Sequence, residues 1–216
     1  ILNVDSDTGS WLAALEPLSG ETVWSVERDG DKSGWSTPTV WQREGRSELL
    51  VYAPRRLVAH DLATGVERWF APGLTDEPCT TPITGGGLVY VTSYNMKTSP
   101  EVSGLPDFAA LCVELDLDAD GSLDREEAER NVSVLSRHDA RGEGDHPLRI
   151  FFRFLDVDLD GEITAAEYQK LVAWVDSFDF ANALLAIRPG TEESPAEIVW
   201  QHTRGVPECP SPLVLD

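Results

Sequence analysis

The chain has 216 residues, 41% of them apolar, and carries 38 acidic against 17 basic side chains, a formal net charge of −21. This balance argues against a nucleic-acid-binding protein and against a protein held on an anionic membrane surface, because both need clustered Lys and Arg. The apolar content and seven Trp favour a packed core over disorder, and no apolar run approaches the roughly 18 residues of a membrane span.

The chain begins at Ile1, without the basic region and apolar stretch of a signal peptide. We therefore expect a piece of a longer or processed protein.

A repeat organises both ends of the chain. Residues 14–24 (ALEPLSGETVW) and 59–69 (AHDLATGVERW) align without gaps, and Trp24 and Trp69 are 45 positions apart. A second marker, Ser/Thr-Pro, recurs at Pro38, Pro82 and Pro212, with spacings of 44 and 130. Removing an insertion of about 86 residues restores one period, which is typical of β-propeller blades.

This period predicts four short strands per unit. One complete unit has strands at 36–40, 49–52, 57–61 and 67–70, and the next at 80–84, 88–93, 183–187 and 198–201. Two strands of another unit precede them, and residues 210–215 open a further one. A single sheet cannot bury both of its faces, so we expect the units to stack, with each Trp buried between neighbouring sheets. The predicted fold is mainly β with an α insertion, as about three blades of a partial, open β-propeller; the alternative is a small antiparallel β-sandwich.

The units resemble the pyrroloquinoline-quinone-type propeller repeat, in GWSTPTV (34–40), LLVYAPRRLVAHDLATGVERW (49–69) and TTPITGGGLVYVTS (80–93). That family includes quinone-dependent alcohol dehydrogenases, the propeller lipoprotein of outer-membrane protein assembly and many secreted bacterial proteins. The resemblance implies a bacterial protein outside the cytoplasm, periplasmic or secreted. It is not specific for enzymatic activity.

The middle of the chain, residues 96–182, is predicted to be an α insertion between propeller repeats at 1–95 and 183–216. Residues 101–180 hold 20 acidic and 7 basic side chains, so most of the net charge lies there. Two segments in it fit the calcium-loop pattern D-x-[DN]-x-[DN]-G-x5-E. Their predicted ligands, at loop positions 1, 3, 5, 7, 9 and 12, are Asp116, Asp118, Asp120, Ser122, Asp124 and Glu127, and Asp156, Asp158, Asp160, Glu162, Thr164 and Glu167.

The spacing suits Ca²⁺, which takes six to eight oxygen ligands. Gly121 and Gly161 stand at position 6, where the loop turns sharply, and position 7 offers its backbone carbonyl. Apolar Leu123 and Ile163 at position 8 are expected to pair through a short β-bridge. Apolar periodicity predicts helices on both sides of each loop, at 105–115, 125–135, 147–155 and 165–175. The insertion resembles a paired EF-hand domain with two Ca²⁺ sites; dockerin-like loops lack the entering helix, and Mg²⁺ is a competing ion.

Cys79 and Cys209 each stand three residues before a marker proline. A disulfide needs Cα atoms within about 7 Å, and neighbouring blades are not expected to come so close. We expect two free, partly buried thiols, with a disulfide as the alternative.

These features predict a non-enzymatic, calcium-binding propeller module that acts as an interaction scaffold. Its partners would be the remaining blades of a longer chain and a protein bound on the face where the insertion emerges. That face carries the blade-to-blade connections, because the insertion follows the second strand of its blade. The alternative is a fragment of a quinone-dependent dehydrogenase, although about three repeats are too few to hold a complete quinone site. An intracellular calcium sensor is disfavoured, because sensors use Met-rich grooves and this chain has one Met.

Overall fold

The computed structural model describes residues 1–28, 34–94, 105–130, 133–135, 146–177, 179, 181–191 and 194–215. The chain divides into two compact units: unit 1 comprises residues 1–94 and 180–216, and unit 2 comprises residues 95–179. The predicted domain boundary at residue 96 lies outside the described residues.

The secondary-structure elements follow one another in this order: β1 (Leu2–Val4), β2 (Ser10–Leu15), β3 (Thr22–Arg28), β4 (Thr39–Arg43), β5 (Arg46–Ala53), β6 (Arg56–Asp61), β7 (Glu67–Pro72), β8 (Ile83–Gly85), β9 (Leu88–Ser93), α1 (Phe108–Leu115), β10 (Leu123–Asp124), α2 (Arg125–Ala128), β11 (Ser133–Leu135), β12 (His146–Pro147), α3 (Leu148–Leu155), β13 (Glu162–Ile163), α4 (Ala165–Asp176), β14 (Ala183–Arg188) and β15 (Glu197–His202).

The described residues of unit 1 form three antiparallel sheets that correspond to successive repeats. Their strand orders are β1-β2-β3, β4-β5-β6-β7 and β15-β14-β9-β8. The third sheet is interrupted in sequence but continuous in space, because β9 pairs directly with β14, with Ser93 opposite Ala183. The prediction of a mainly β fold with an α insertion is confirmed, in the form of three consecutive sheets of an open propeller.

Strand β5 explains why the sheets must stack. Its side chains alternate between two cores: Leu49 and Val51 pack with Leu12 of the first sheet, whereas Leu50 and Tyr52 pack with the third sheet. All four are fully buried. A strand with two buried faces needs a neighbouring sheet on each side, which a propeller supplies.

The repeat starts also meet side by side. Ser36 Oγ donates to the carbonyl of Thr80 at 2.8 Å, and Thr39 Oγ1 donates to the carbonyl of Pro82, also at 2.8 Å. The next pair of starts is joined by the Thr81 amide, which donates to Ser211 Oγ at 2.9 Å. Side chains in or directly after the Ser/Thr-Pro marker therefore connect one repeat to the next.

The structure differs from the strand prediction at both ends of unit 1. The first sheet has three strands rather than two, because residues 2–4 pair with β2. Residues 210–215 form no strand: no strand of the described residues pairs with them, and they run instead beside the start of β8.

The prediction for the cysteines was wrong in one respect. Cys79 and Cys209 are both free thiols, but Cys209 is exposed rather than partly buried. Their side chains are hydrogen-bonding neighbours. The repeat starts come closer together than was expected from blade spacing, because the hydrogen bonds at the marker draw them into contact.

Among the described residues of unit 2, α1, α2, α3 and α4 all contribute to one apolar core. Leu115, Leu123, Leu148, Ile163 and Val175 are fully buried in it. Each of the three longer helices thus buries an apolar face. None of the helices in the described part of the chain has the length and apolar character needed to cross a bilayer.

The helix predicted over 125–135 ends early. Helix α2 stops at Ala128, and residues 133–135 form strand β11, which pairs with β12. The apolar spacing of this segment suited a helix, but pairing with another strand decided its structure.

Candidate calcium sites

Both predicted loops stand between helices, and each begins as its entering helix ends. Asp116 caps the C-terminus of α1, and Asp156 follows α3 directly. Gly121 and Gly161 have φ of 91° and 97°, so the sharp turn at position 6 occurs where glycine was predicted. Ala119 and Leu159, at position 4, also have positive φ (63° each). No residue type in the sequence signalled this second left-handed position.

In the first loop, three aspartates converge. Oxygen atoms of Asp116, Asp118 and Asp120 all lie within 4.8 Å of one another. Backbone amides hold them in place: Asp116 accepts from Ala119 at 2.6 Å and from Gly121 at 3.0 Å. The chain thereby wraps its carboxylates around a common centre, as a hard divalent cation requires.

In the second loop, the converging oxygens belong to Asp156, Asp158 and Glu167. Asp156 is 8% exposed, and its Oδ1 atom has no hydrogen-bond partner among the described residues. A buried carboxylate oxygen without a donor costs free energy of about 1–3 kcal/mol or more. A cation bound by this loop removes that cost, so the residues fit a divalent metal ion.

The position-12 glutamates are buried and held alike. Glu127 Oε1 accepts from the Leu117 amide at 2.6 Å, and its Oε2 accepts from the Asp124 amide at 2.9 Å. Glu167 repeats this arrangement with the amides of Val157 and Thr164, both at 2.9 Å. Each glutamate also completes a capping box with position 9, which starts the exiting helix at a fixed angle.

The two loops are joined to each other. Strands β10 and β13 pair with Leu123 opposite Ile163, which confirms the predicted β-bridge at position 8. Both side chains are fully buried. At position 7, Ser122 Oγ donates to the carboxylate of Glu162 in the other loop. Sequence reasoning assigned position 7 only its carbonyl and missed this link, because a contact across 40 residues leaves no local pattern.

The electrostatics of the loops follow from their crowding. The pKa of Asp118 is raised: the Asp120 amide lowers it, but desolvation and the carboxylates of Asp120, Glu127 and Asp116 together outweigh that bond. The Ser122 amide and hydroxyl lower the pKa of Asp120. Donors of its own loop therefore hold Asp120 in its charged form.

The predicted ligands differ in how closely the structure assembles them. Six of the twelve residues form the two converging sets, three in each loop. Asp160 lies outside its set and accepts from the Glu162 amide at 2.9 Å. The side chains of Asp124 and Thr164 are engaged as helix caps. The ligand roles of all twelve stay predictions.

Comparison with known proteins agrees with part of this picture. Residues 148–172 match the family model described as EF hand. A solved structure, the crystal structure of BamB from Moraxella catarrhalis, is similar at 18% sequence identity and a TM-score of 0.33. The match covers 43% of this chain and 33% of that chain, so the present chain spans about a third of its length. Comparison with curated proteins gives no match.

The EF-hand match covers α3, the second loop and most of α4. This confirms the EF-hand part of the resemblance for the second loop, and EF-hand loops are calcium-binding elements. The quinone-type repeat, the secreted location and the bacterial source stay predictions.

Proposed function

We propose that this chain is the calcium-binding part of a non-enzymatic propeller scaffold that works outside the cytoplasm and binds two Ca²⁺ ions through its paired loops. The observation that carries the proposal is the duplicated arrangement of unit 2. Each loop gathers three carboxylates within 4.8 Å and anchors its position-12 glutamate on two backbone amides.

The pairing of the loops supports binding by both rather than by one. The Leu123–Ile163 bridge and the Ser122–Glu162 hydrogen bond connect the two sites through the core of unit 2. An ion bound in one loop therefore orders that loop's short strand, β10 or β13, with which the strand of the other loop pairs. Since the loops also carry many carboxylates, we expect both to fill at millimolar Ca²⁺ and to serve a structural role.

Titration calorimetry with Ca²⁺ tests this proposal on the full chain. We expect two ions bound per chain, one fewer in Glu127→Gln and one fewer in Glu167→Gln. Glu126→Gln is the matched control: it is an exposed neighbour of Glu127 on α2 and should keep both sites. No uptake at millimolar Ca²⁺, or two ions retained by both position-12 variants, would overturn the proposal.

The proposed scaffold role rests on the contacts between successive repeats. Trp24 lies against Gly65 of the second sheet, and Trp69 lies against Gly190 of the third. Trp200 is the corresponding residue of the third sheet and is 44% exposed, compared with 5% for Trp69. We infer that Trp200 and strand β15 are the surface on which a further blade of the same kind docks.

The absence of enzymatic activity is also part of the proposal. It is tested by adding pyrroloquinoline quinone and Ca²⁺ to the chain and following alcohol oxidation with a redox dye. We expect no turnover above that of the quinone alone. Turnover that depends on the chain would favour the dehydrogenase alternative instead.

A further inference from the structure

The thiols of Cys79 and Cys209 lie next to each other although 130 positions separate them in the chain. They are hydrogen-bonding neighbours in unit 1. Around them, the segment after Cys209 runs beside the segment after Cys79. The Thr81 amide donates to Ser211 Oγ at 2.9 Å, and a Cβ on Gly85 would stand 2.5 Å from Val214 Cγ1.

The same approach occurs one repeat earlier, which gives independent support for the geometry. Trp35 occupies the position of Cys79 and Cys209 in the first repeat start, three residues before Pro38. Its amide donates to the Pro78 carbonyl at 2.9 Å, so the starts of the first and second complete repeats are in contact as well. Contact at this position is therefore a property of the repeat, and only the second contact has cysteine on both sides.

We propose that Cys79 and Cys209 form a disulfide that fastens residues 209–215 to the start of strand β8. The two residues stand in matching positions of two neighbouring repeat starts, and the hydrogen bond from the Thr81 amide to Ser211 Oγ joins those starts. Unit 1 thus supplies the close approach that a disulfide requires.

The oxidant for this step is a low-molecular-weight disulfide such as oxidised glutathione. Cys209 is exposed, so its thiolate meets the reagent first, attacks one sulfur and releases one glutathione thiolate. The thiolate of Cys79 then attacks the sulfur of Cys209 and releases the second glutathione. One disulfide bond breaks and one forms, two electrons pass to glutathione, and the two cysteine protons end on the released thiols.

The environment of Cys79 suits the second of these two roles. Burial, with the Cys209 thiol next in effect, raises the pKa of Cys79 to about 11. A protonated, half-buried thiol reacts slowly with reagents from solution. Attack on a sulfur already held beside it is intramolecular and needs no encounter, so it proceeds despite the small thiolate fraction.

Peptide mapping of the full-length chain tests the proposal. After incubation with oxidised glutathione, the alkylatable thiols should fall from three to one, and proteolysis without reductant should yield a peptide that links Cys79 to Cys209. Cys112, in unit 2, should remain alkylatable. Oxidation should also raise the melting temperature of unit 1, and a reductant should reverse this rise.

A trapping variant makes the test independent of stability. In Cys79→Ser, the first step has no resolving thiol, so we expect one glutathione to stay attached to Cys209. Cys112→Ser is the matched control and should oxidise as the unaltered chain does. Persistent glutathione on Cys209 of the unaltered chain, or cross-links between chains through Cys209 in place of the internal peptide, would overturn the proposal.

Discussion

The indole ring of Trp24 lies against Gly65 so closely that a Cβ atom on the glycine would stand 2.6 Å from ring carbon Cε3. The indole Nε1 atom also donates to the carbonyl of Leu62 at 3.1 Å. A large side chain of one repeat is thus seated on the bare backbone of the next repeat's turn. Glycine is needed there for the contact as well as for its φ of 75°.

This contact predicts unequal costs at two equivalent glycines. Gly20 and Gly65 hold the same repeat position with φ of 74° and 75°, but a Cβ on Gly20 meets nothing within 4 Å. Both alanine variants bear the cost of positive φ, about 1–2 kcal/mol. Gly65→Ala should lose a further 1–3 kcal/mol or so through the clash with Trp24. Urea denaturation followed by Trp fluorescence measures the difference, and equal losses would show that the indole moves aside freely.

A second comparison concerns the Trp residues themselves. Trp69 is buried against Gly190, so Trp69→Ala should lower the free energy of unfolding by about 3–5 kcal/mol. Trp200, at the same repeat position, is 44% exposed, and Trp200→Ala should cost less than about 1 kcal/mol. A large loss for Trp200→Ala in the isolated chain would mean that another surface covers this residue in solution.

The second calcium loop predicts that the effect of Asp156→Asn on the melting temperature changes sign when Ca²⁺ is added. Asp156→Asn removes the charge from a buried carboxylate whose Oδ1 atom has no hydrogen-bond partner among the described residues. In the presence of a chelator, the variant should unfold at the same or a higher temperature than the unaltered chain. In millimolar Ca²⁺ it should unfold at a lower temperature, because a ligand is lost. Asp176→Asn, outside both loops, should leave the calcium-dependent rise in melting temperature unchanged.

His60 predicts a pH dependence of unit 1. Burial lowers the pKa of His60 below 6.5. The Nδ1 atom of the ring lies 2.9 Å from the carbonyl oxygen of Gly65. Above pH 6.5 the ring is neutral in both states, so its contribution to stability is fully present. As the pH falls from 6.5 toward the folded-state pKa, only the unfolded chain takes up the proton, and stability falls by up to about 1.4 kcal/mol per pH unit.

The measurement compares the unaltered chain with His60→Gln at pH 7.5 and pH 5.5 in saturating Ca²⁺. Carboxylates affect both chains alike, so the difference between them isolates the imidazole. The unaltered chain should lose more stability than the variant over this range. A parallel loss in both chains would show that His60 does not couple to unfolding.

The pairing of β9 with β14 predicts that unit 1 folds without the insertion. Ser93 stands opposite Ala183, and Ser93 Oγ donates to the carbonyl of Ala181 at 2.6 Å. Replacing residues 95–180 with a short Gly-rich linker should therefore join β9 and β14 as a β-hairpin of the third sheet. Unit 1 should still unfold cooperatively. Six of the seven Trp lie in unit 1 and report on it by fluorescence. Loss of the cooperative transition would make the insertion an integral part of the β unit.

The sequence predicted best where chemistry restricts residue type at fixed spacing. A hard cation demands oxygen ligands and a sharp turn, so Gly121 and Gly161 were assigned correctly. The repeat likewise predicted the second sheet strand by strand. The repeat also led us to expect each Trp between neighbouring sheets, but it did not identify the partner residue: Trp24 and Gly20 share one motif, whereas the ring packs on Gly65, the glycine of the next copy. Residues 133–135 were misassigned for the same reason, since the pairing partner that decides their structure lies beyond residue 145.

The hydrogen bond from Tyr168 Oη to the carbonyl of Pro106, 3.0 Å long, joins the entering part of the insertion to its last helix. Before unit 2 folds, β9 and β14 must find each other across a loop of residues 94–182. Once that bond forms, it bypasses the residues between Pro106 and Tyr168, so the loop that must close is about a third as long. The shorter loop lowers the entropy cost of closure by about 1 kcal/mol. Calcium, by folding the insertion first, should then speed the pairing of two strands that it never touches.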